Sequence, residues 1–383
     1  MIQALSARAD YPSLIDHVYL NQASLGLIGQ PAVHSMHRFL DEIARHGNLR
    51  MTDEEELGFS EALRRQGARL LNCPPEQLAI LAGASEFLGQ LPFLLRPRPG
   101  ASVILVSTDF PAVTRPWIRF AAENDISLVF VDDLASEHLT DRLIDQIDHR
   151  TATVAVSSVQ FSTGTSVEIP RLREACSRFD AHLIVDATQA AGLLEIDSQL
   201  WRADAVVTSG YKWLGGHGGV ALAALSPAFL EHTPPLPGWM GAPDPFAFDA
   251  RRMPFAPEAR RWTQSTMSYL SMVGLTTAIE QSSLLPASAR ESHSRQLAHR
   301  LIEGARTYGW APFRPLDTPS ACPHIVALEP TEFDAESVAE YVIEALRRHR
   351  IVCSARNGRV RVSLAPYNDG TDIDRLLGAL ASL

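Results

Sequence analysis

From about residue 76 the chain alternates short apolar runs with amphipathic stretches, and this alternation restricts it to few architectures. The runs are Ser102–Val106, Ser127–Val131, Thr153–Val159, His182–Val185, Ala205–Thr208 and Val220–Leu225. Between several of them lie helix-like segments such as Pro170–Phe179, which opens with proline at a plausible first helical position. Apolar strands separated by helices predict an α/β fold with a mostly parallel sheet covered on both faces. Ligands of such sheets bind beyond the carboxyl ends of the strands, so the residues that follow the strands are the candidates for chemistry.

The stretch from Pro234 to Pro257 is rich in proline, glycine and aromatics and predicts a long loop, either functional or a surface excursion. After about residue 276 the pattern changes. A long helical stretch is expected from Met272 to Tyr308, then a strand at His324–Leu328, a helix at Ala335–His349, a hairpin, and a last helix from Asp372. A chain of 383 residues exceeds what one core usually serves. The expected division is a large domain at residues 20–275 and a smaller α+β domain formed by 1–19 with 276–383.

Composition narrows the function. Hydrophobic residues make up 46% and charged residues 20%, with a net charge of −10 and no basic stripe of the kind nucleic-acid binders carry. The four cysteines, Cys73, Cys176, Cys322 and Cys353, form no CxxC pair, so neither a metal site nor a disulfide framework is expected. No apolar run of about 18 residues predicts a membrane span, and the first residues lack a signal-peptide core. A cytoplasmic location is therefore expected.

The densest chemical signal is DAVVTSGYKWLGGHGG, from Asp204 to Gly219. Lys212 follows a strand end and precedes a glycine-rich turn. An amine there points into the ligand crevice and can form an imine with an aldehyde. Ser209 can bond a phosphate. The competing reading is a surface lysine beside a glycine loop. In AHLIVDATQAAG an apolar strand delivers Asp186, whose carboxylate can pair with a ring nitrogen. Gln189 can reach a ring hydroxyl. Alone, Asp186 reads as a helix N-cap. Asp186 and Lys212 are one βαβ step apart, so both can face one crevice.

Gly83, Ala84 and Ser85 precede a helical run, and a helix N-terminus is a ready phosphate site. Phe110, after the strand ending at Val106, can stack on a planar ligand or serve as core. Asn357-Gly358 signals a hairpin whose second strand puts Arg359, Arg361 and Ser363 on one face. That face can grip a carboxylate with a two-pronged hydrogen bond, or simply be solvated. His217, among the glycines, reads as a second acid or base or, by preference, as a loop histidine without a role.

With these residues in hand, the sequence resembles class V of the pyridoxal-phosphate (PLP) aminotransferase superfamily. That group includes cysteine desulfurases, selenocysteine lyases, kynureninases and isopenicillin-N-epimerase-like enzymes. The resemblance runs from Tyr19-Leu-Asn-Gln-Ala to the final helix. It rests on VDATQAAG, TSGYKWLGGHGG and RVRVSLAPYND in the family's order. It implies the PLP-dependent transferase fold type I, with a seven-stranded-type sheet and PLP as cofactor. Lys212 is implied as the Schiff-base lysine, Asp186 as partner of the pyridine nitrogen and Gln189 as a contact to the ring oxygen. Ser85 and Ser209 are implied as phosphate ligands and Phe110 as the stacking ring, with Ala84 and Tyr211 completing the cofactor-binding set. Arg361 matches the arginine that holds the substrate carboxylate. Thr266 resembles a threonine that reaches the neighbouring subunit's cofactor, which implies a homodimer with shared active sites.

Three positions depart from the desulfurase pattern. Tyr211 replaces the usual His, as in kynureninases, and Phe161 replaces an Asn near the ring oxygen. Cys353 is the sole candidate for a desulfurase nucleophile, eight residues before Arg361, and reads as structural. An amino-acid substrate is expected, with no nucleic-acid or membrane partner. A lyase reaction, β-elimination or C–S cleavage, is favoured. Transamination and epimerisation stay open within the family, and a non-catalytic binding protein stays open outside it.

Overall fold

The computed structural model describes residues 2–133, 138–331 and 335–382. Its strands, in chain order, are β1 (Val18–Tyr19), β2 (Leu78–Leu81), β3 (Ala101–Val106), β4 (Ile126–Val131), β5 (Thr151–Ser157), β6 (His182–Asp186), β7 (Ala205–Ser209) and β8 (Ala221–Leu225). The later strands are β9 (Trp310–Pro312), β10 (Ile325–Pro330), β11 (Ile351–Val352), β12 (Ser354–Arg356) and β13 (Arg359–Ser363).

Seven strands form one sheet in the order β2-β8-β7-β6-β5-β3-β4. The block from β7 to β4 is parallel, and β8 runs antiparallel to both β7 and β2. Successive residues of these strands enter different cores. Ile104, Val106, Val154, Val156, Leu183 and Val185 pack into one cluster. Val103, Leu105, Ala155, Ile184, Ala205 and Val207 pack into another on the opposite face. Burial on both faces is why the runs read as continuously apolar rather than alternating. The expected α/β fold with a mostly parallel seven-stranded sheet is observed.

The C-terminal part forms a four-stranded antiparallel sheet, β12-β13-β10-β9, over a third core. The parallel pairing of β1 with β11 ties residues 18–19 to it. The β12–β13 turn holds Asn357 and Gly358 at φ of 49° and 73°, the two positive values that Asn-Gly tolerates.

Two expectations are corrected. The helical stretch from Met272 to Tyr308 is two helices, Tyr269–Ser283 and Ala287–Arg306. Pro286 sits between them, and proline lacks the N–H needed to continue a helix. Arg290 Nη1 donates to the carbonyls of Ser282 and Leu285, covering the exposed end of the first helix. The second correction is β2, which the sequence reading did not anticipate. Its four residues, Leu-Ala-Ile-Leu, carry no periodicity that separates strand from helix.

The long segment at 234–257 contains only the 3₁₀ turns Trp239–Gly241 and Pro245–Ala247. Arg261 fixes it by donating to the carbonyls of Leu230 and Ala256. The C-terminal sheet is joined to the large sheet through a buried polar knot. Arg314 pairs with Asp133 at 3.1 Å and donates to Thr165 Oγ1 at 2.9 Å. Thr163 Oγ1 donates to the other oxygen of Asp133 at 2.6 Å. Beside the knot, Ser166 N donates to Ser320 O and Cys322 N to Gly164 O.

Candidate active site

Lys212 lies three residues beyond β7, in a turn that β8 closes. It is the chain's single lysine; every other residue counted among the 34 Lys and Arg is an arginine. Its side chain is only 6% exposed. Burial pushes its amine down to about 8, against the opposing pull of Asp186; the guanidinium groups of Arg361 and Arg356 push the same way as burial. The backbone is clamped by an N-terminal segment. Gln22 Nε2 donates to the Lys212 carbonyl at 2.9 Å, and Gly26 N donates to the Tyr211 carbonyl at 2.9 Å. A Cβ on Gly26 would lie 2.1 Å from that Lys212 oxygen, so only glycine permits this approach.

Asp186 ends β6 beside Val207 of β7. It is 5% exposed, and its Oδ1 accepts from Thr188 N at 2.9 Å. Burial raises its pKa, while the bonds from Thr188 and the charge of Lys212 hold it down. A carboxylate in this position favours any cation brought beside it. Thr188, which the sequence reading passed over, also accepts from Ser209 N at 3.1 Å and so locks the ends of β6 and β7 together.

One cleft gathers these groups. It is lined by Ala84, Ser85, Phe110, Asp186, Gln189, Ser209, Tyr211 and Lys212, together with Ala112, Ser157, Phe161 and Thr188. Lys212 Nζ stands 5.0 Å from the Phe110 ring centroid and 5.9 Å from that of Tyr211. Ala84 and Ser85 are the first residues of the helix Ala84–Leu95. No side chain caps its N-terminus, so its leading N–H groups face the cleft unbonded by a cap. Burial and the charge of Asp186 raise the Tyr211 pKa, and the nearby Ser209 side chain opposes them.

Phe110 is positioned by a residue the sequence reading missed. Asp109 is buried and accepts from Phe110 N at 2.6 Å, Ser157 N at 2.7 Å and Gln160 Nε2 at 3.2 Å. Burial pushes it up to about 6 despite these donors. Its signal was available, since an acidic residue three positions past an apolar strand falls at the ligand end of the sheet. Phe110 meets Phe161 edge to face at 5.4 Å.

Gln189 reaches the cleft but is largely occupied. Its Oε1 accepts from Trp213 Nε1 at 2.8 Å, and its Nε2 donates to Ala23 O at 3.1 Å, leaving one N–H. Its backbone carbonyl accepts from His324 at 2.6 Å. His324 is completely enclosed, and burial pushes it down to about 4, so it stays neutral and serves as a donor from Nε2.

Arg361, on β13, is 1% exposed. Its Nη1 donates to Phe161 O at 2.7 Å, and its Nη2 donates to Asn21 Oδ1 at 3.3 Å and to Ser24 Oγ. Its Nε is buried without a partner. No carboxylate pairs with it among the described residues, and burial pushes it down to about 9. Thr266 is exposed and lies outside this chain's cleft. His217 is exposed and bonds only Gly218 O, at 3.3 Å. Cys353 is buried, and burial pushes its thiol up to about 12. No cluster of three metal-ligating side chains occurs among the described residues, and no helix there is long and apolar enough to cross a membrane.

Comparison with known proteins places this geometry. The aminotransferase class-V family matches residues 18–376. An uncharacterized aminotransferase, YcbU of Bacillus subtilis, is 22% identical over 97% of this chain and 96% of its own. The cysteine desulfurase CsdA of Escherichia coli is 26% identical over 97% and 96%. The crystal structure of CsdA superposes with a TM-score of 0.84 at 22% identity, covering 98% and 96% of the two chains. The cystine C-S lyase C-DES, in complex with its product cysteine persulfide, superposes with a TM-score of 0.86 at 19% identity, covering 97% and 99%. The chain belongs to the class-V aminotransferase family, whose members are pyridoxal-phosphate enzymes.

Proposed function

We propose that this enzyme acts on an amino acid through Lys212 and breaks a bond at the substrate's β-carbon, by β-elimination or C–S cleavage. The observation that carries the reading is the placement of a buried amine and a buried carboxylate in one cleft, at neighbouring strand ends. Lys212 is the amine that would hold the cofactor's aldehyde carbon. Asp186 would lie beneath the pyridine nitrogen and keep it protonated. Phe110 would cover the ring, with Asp109 fixing its backbone. The free N–H groups at Ala84 and Ser85, with Ser209 and Tyr211, would take the phosphate. Gln189 has one N–H left for the ring oxygen. Thr266, exposed on this chain, would reach the phosphate end of a second subunit's site, which makes the functional unit a homodimer.

When bound, pyridoxal phosphate supplies an electron sink for a carbanion at the substrate's Cα. Arg361 fixes the substrate by its carboxylate, since its guanidinium is buried and otherwise meets only neutral acceptors. That grip sets which Cα bond stands toward Lys212. Lys212 Nζ would serve as the base that takes the proton from Cα. The β-substituent then leaves with its bonding electrons.

Cys353 is no candidate for a sulfur acceptor. Its thiol is enclosed and protonated at neutral pH. Sulfur leaving the substrate would therefore depart on a small molecule, as cysteine persulfide, the reaction product of C-DES, exemplifies for that enzyme.

The test is product analysis. Holoenzyme is incubated with single amino acids, cystine and cysteine included, and assayed for pyruvate, ammonia and sulfide. The proposal expects a keto acid and ammonia in equal amounts. A keto acid without ammonia, with the amino group left on the cofactor, would replace it with transamination.

A further inference from the structure

Two arginines of the β12–β13 hairpin converge on one hydroxyl. The register sets Ser354 opposite Arg361 and Arg356 opposite Arg359, so Arg356 and Arg361 are diagonal neighbours on one face. Both donate from Nη2 to Ser24 Oγ, Arg356 at 3.3 Å. Arg356 Nη1 donates to Ala355 O at 2.7 Å. Neither guanidinium has a carboxylate within ion-pair distance among the described residues.

Their neighbour Arg359 behaves differently. It pairs with Glu329 and lies over the Phe313 ring, its Cζ 3.8 Å from the centroid. The hairpin thus neutralises one arginine and leaves two bare. Bringing two such groups together costs energy unless an anion joins them. Beside the larger effect of burial, the charge of Arg356 lowers the pKa of both Arg361 and Lys212.

One α-carboxylate is matched by one two-pronged guanidinium. Arg361 is buried and reaches the cleft residue Phe161 through its carbonyl, while Arg356 is half-buried beside it. We propose that Arg356 is a specificity residue that binds a second acidic group of the substrate, carried beyond the bond that breaks, so that the enzyme prefers amino acids with a side-chain carboxylate. This rests on the reading of the cleft as an amino-acid site.

The experiment titrates holoenzyme with L-aspartate and L-glutamate against L-alanine and L-serine, following the cofactor's visible spectrum. The best acidic ligand is expected to bind about tenfold or more tighter than L-alanine. In R356Q that ratio falls to about one, and in R356K it partly returns. Equal affinity for acidic and neutral ligands in the unmodified enzyme overturns the proposal, whatever the variants do. So does a preference that survives R356Q. A spectrum that no amino acid perturbs removes the amino-acid reading itself and this inference with it, which separates the two failures.

Discussion

Lys212 faces Asp186 from the neighbouring strand end, and among the described residues this carboxylate is the one charge that opposes the burial of the lysine amine. The relationship follows from the sheet. Asp186 closes β6, Val207 pairs with it on β7, and the chain returns Lys212 to the same edge within five residues.

The depressed amine predicts a pH profile for cofactor capture. The neutral amine attacks an aldehyde; the ammonium does not. Apoprotein mixed with PLP should form its visible band at a rate that rises with pH and is half-maximal near 8, rather than near the ordinary lysine value of 10.5. The same shift carries a stability sign. The folded value lies below the unfolded one, so the unfolded chain holds the proton more tightly between pH 8 and 10.5. Burial of Lys212 therefore destabilises apoprotein below pH 8, and that penalty fades as pH rises through the window. Stopped-flow absorbance and urea midpoints at stepped pH measure both.

Asp186→Asn keeps the shape and the bond from Thr188 N but removes the charge. The cofactor should still bind, because Lys212 and the phosphate end are untouched. Turnover should fall on the order of 10²–10⁴-fold, the usual size of a lost proton-holding group. Single-turnover kinetics with the best substrate, run beside the absorption spectrum, separate loss of chemistry from loss of cofactor.

Cys353→Ala should leave turnover within about twofold, since a thiol near 12 in an enclosed site is no nucleophile. Its cost is packing, about 1 kcal/mol in urea unfolding. A drop of several orders in sulfur-releasing activity would reinstate a persulfide route.

The Asp133–Arg314 knot should matter for stability. Both side chains are buried, so Arg314→Met leaves a bare carboxylate among Thr163, Thr165 and backbone. Removing one partner of such a pair costs about 3–5 kcal/mol. Because the knot holds the segment that presents Phe161 O to Arg361, the variant should also weaken amino-acid binding. Denaturant unfolding and ligand titration of the same preparation measure the two effects.

Much of this molecule was legible beforehand, and the reasons are local. Five of the six apolar runs became strands buried on both faces, which leaves a plain hydrophobic signature; the sixth, β4, is a half-covered edge strand. The residues at strand ends, Asp186, Ser209 and Phe110, were readable because parallel sheets put ligands there. What escaped was non-local. Gln22 and Gly26 meet Lys212 across almost the whole large sheet in sequence, through bonds that no short-range pattern announces. His324 looked like the start of a strand, yet its ring donates to Gln189 O. Arg356 sat in a plain hairpin sequence until Ser24 brought it beside Arg361.

The most direct test exploits the chain's single lysine. Holoenzyme is reduced with borohydride, digested and mapped by mass spectrometry. The account predicts one phosphopyridoxyl group per chain, on the peptide carrying Lys212, and none after Lys212→Ala. An unmodified Lys212 peptide, or label confined to the terminal amine, would contradict it.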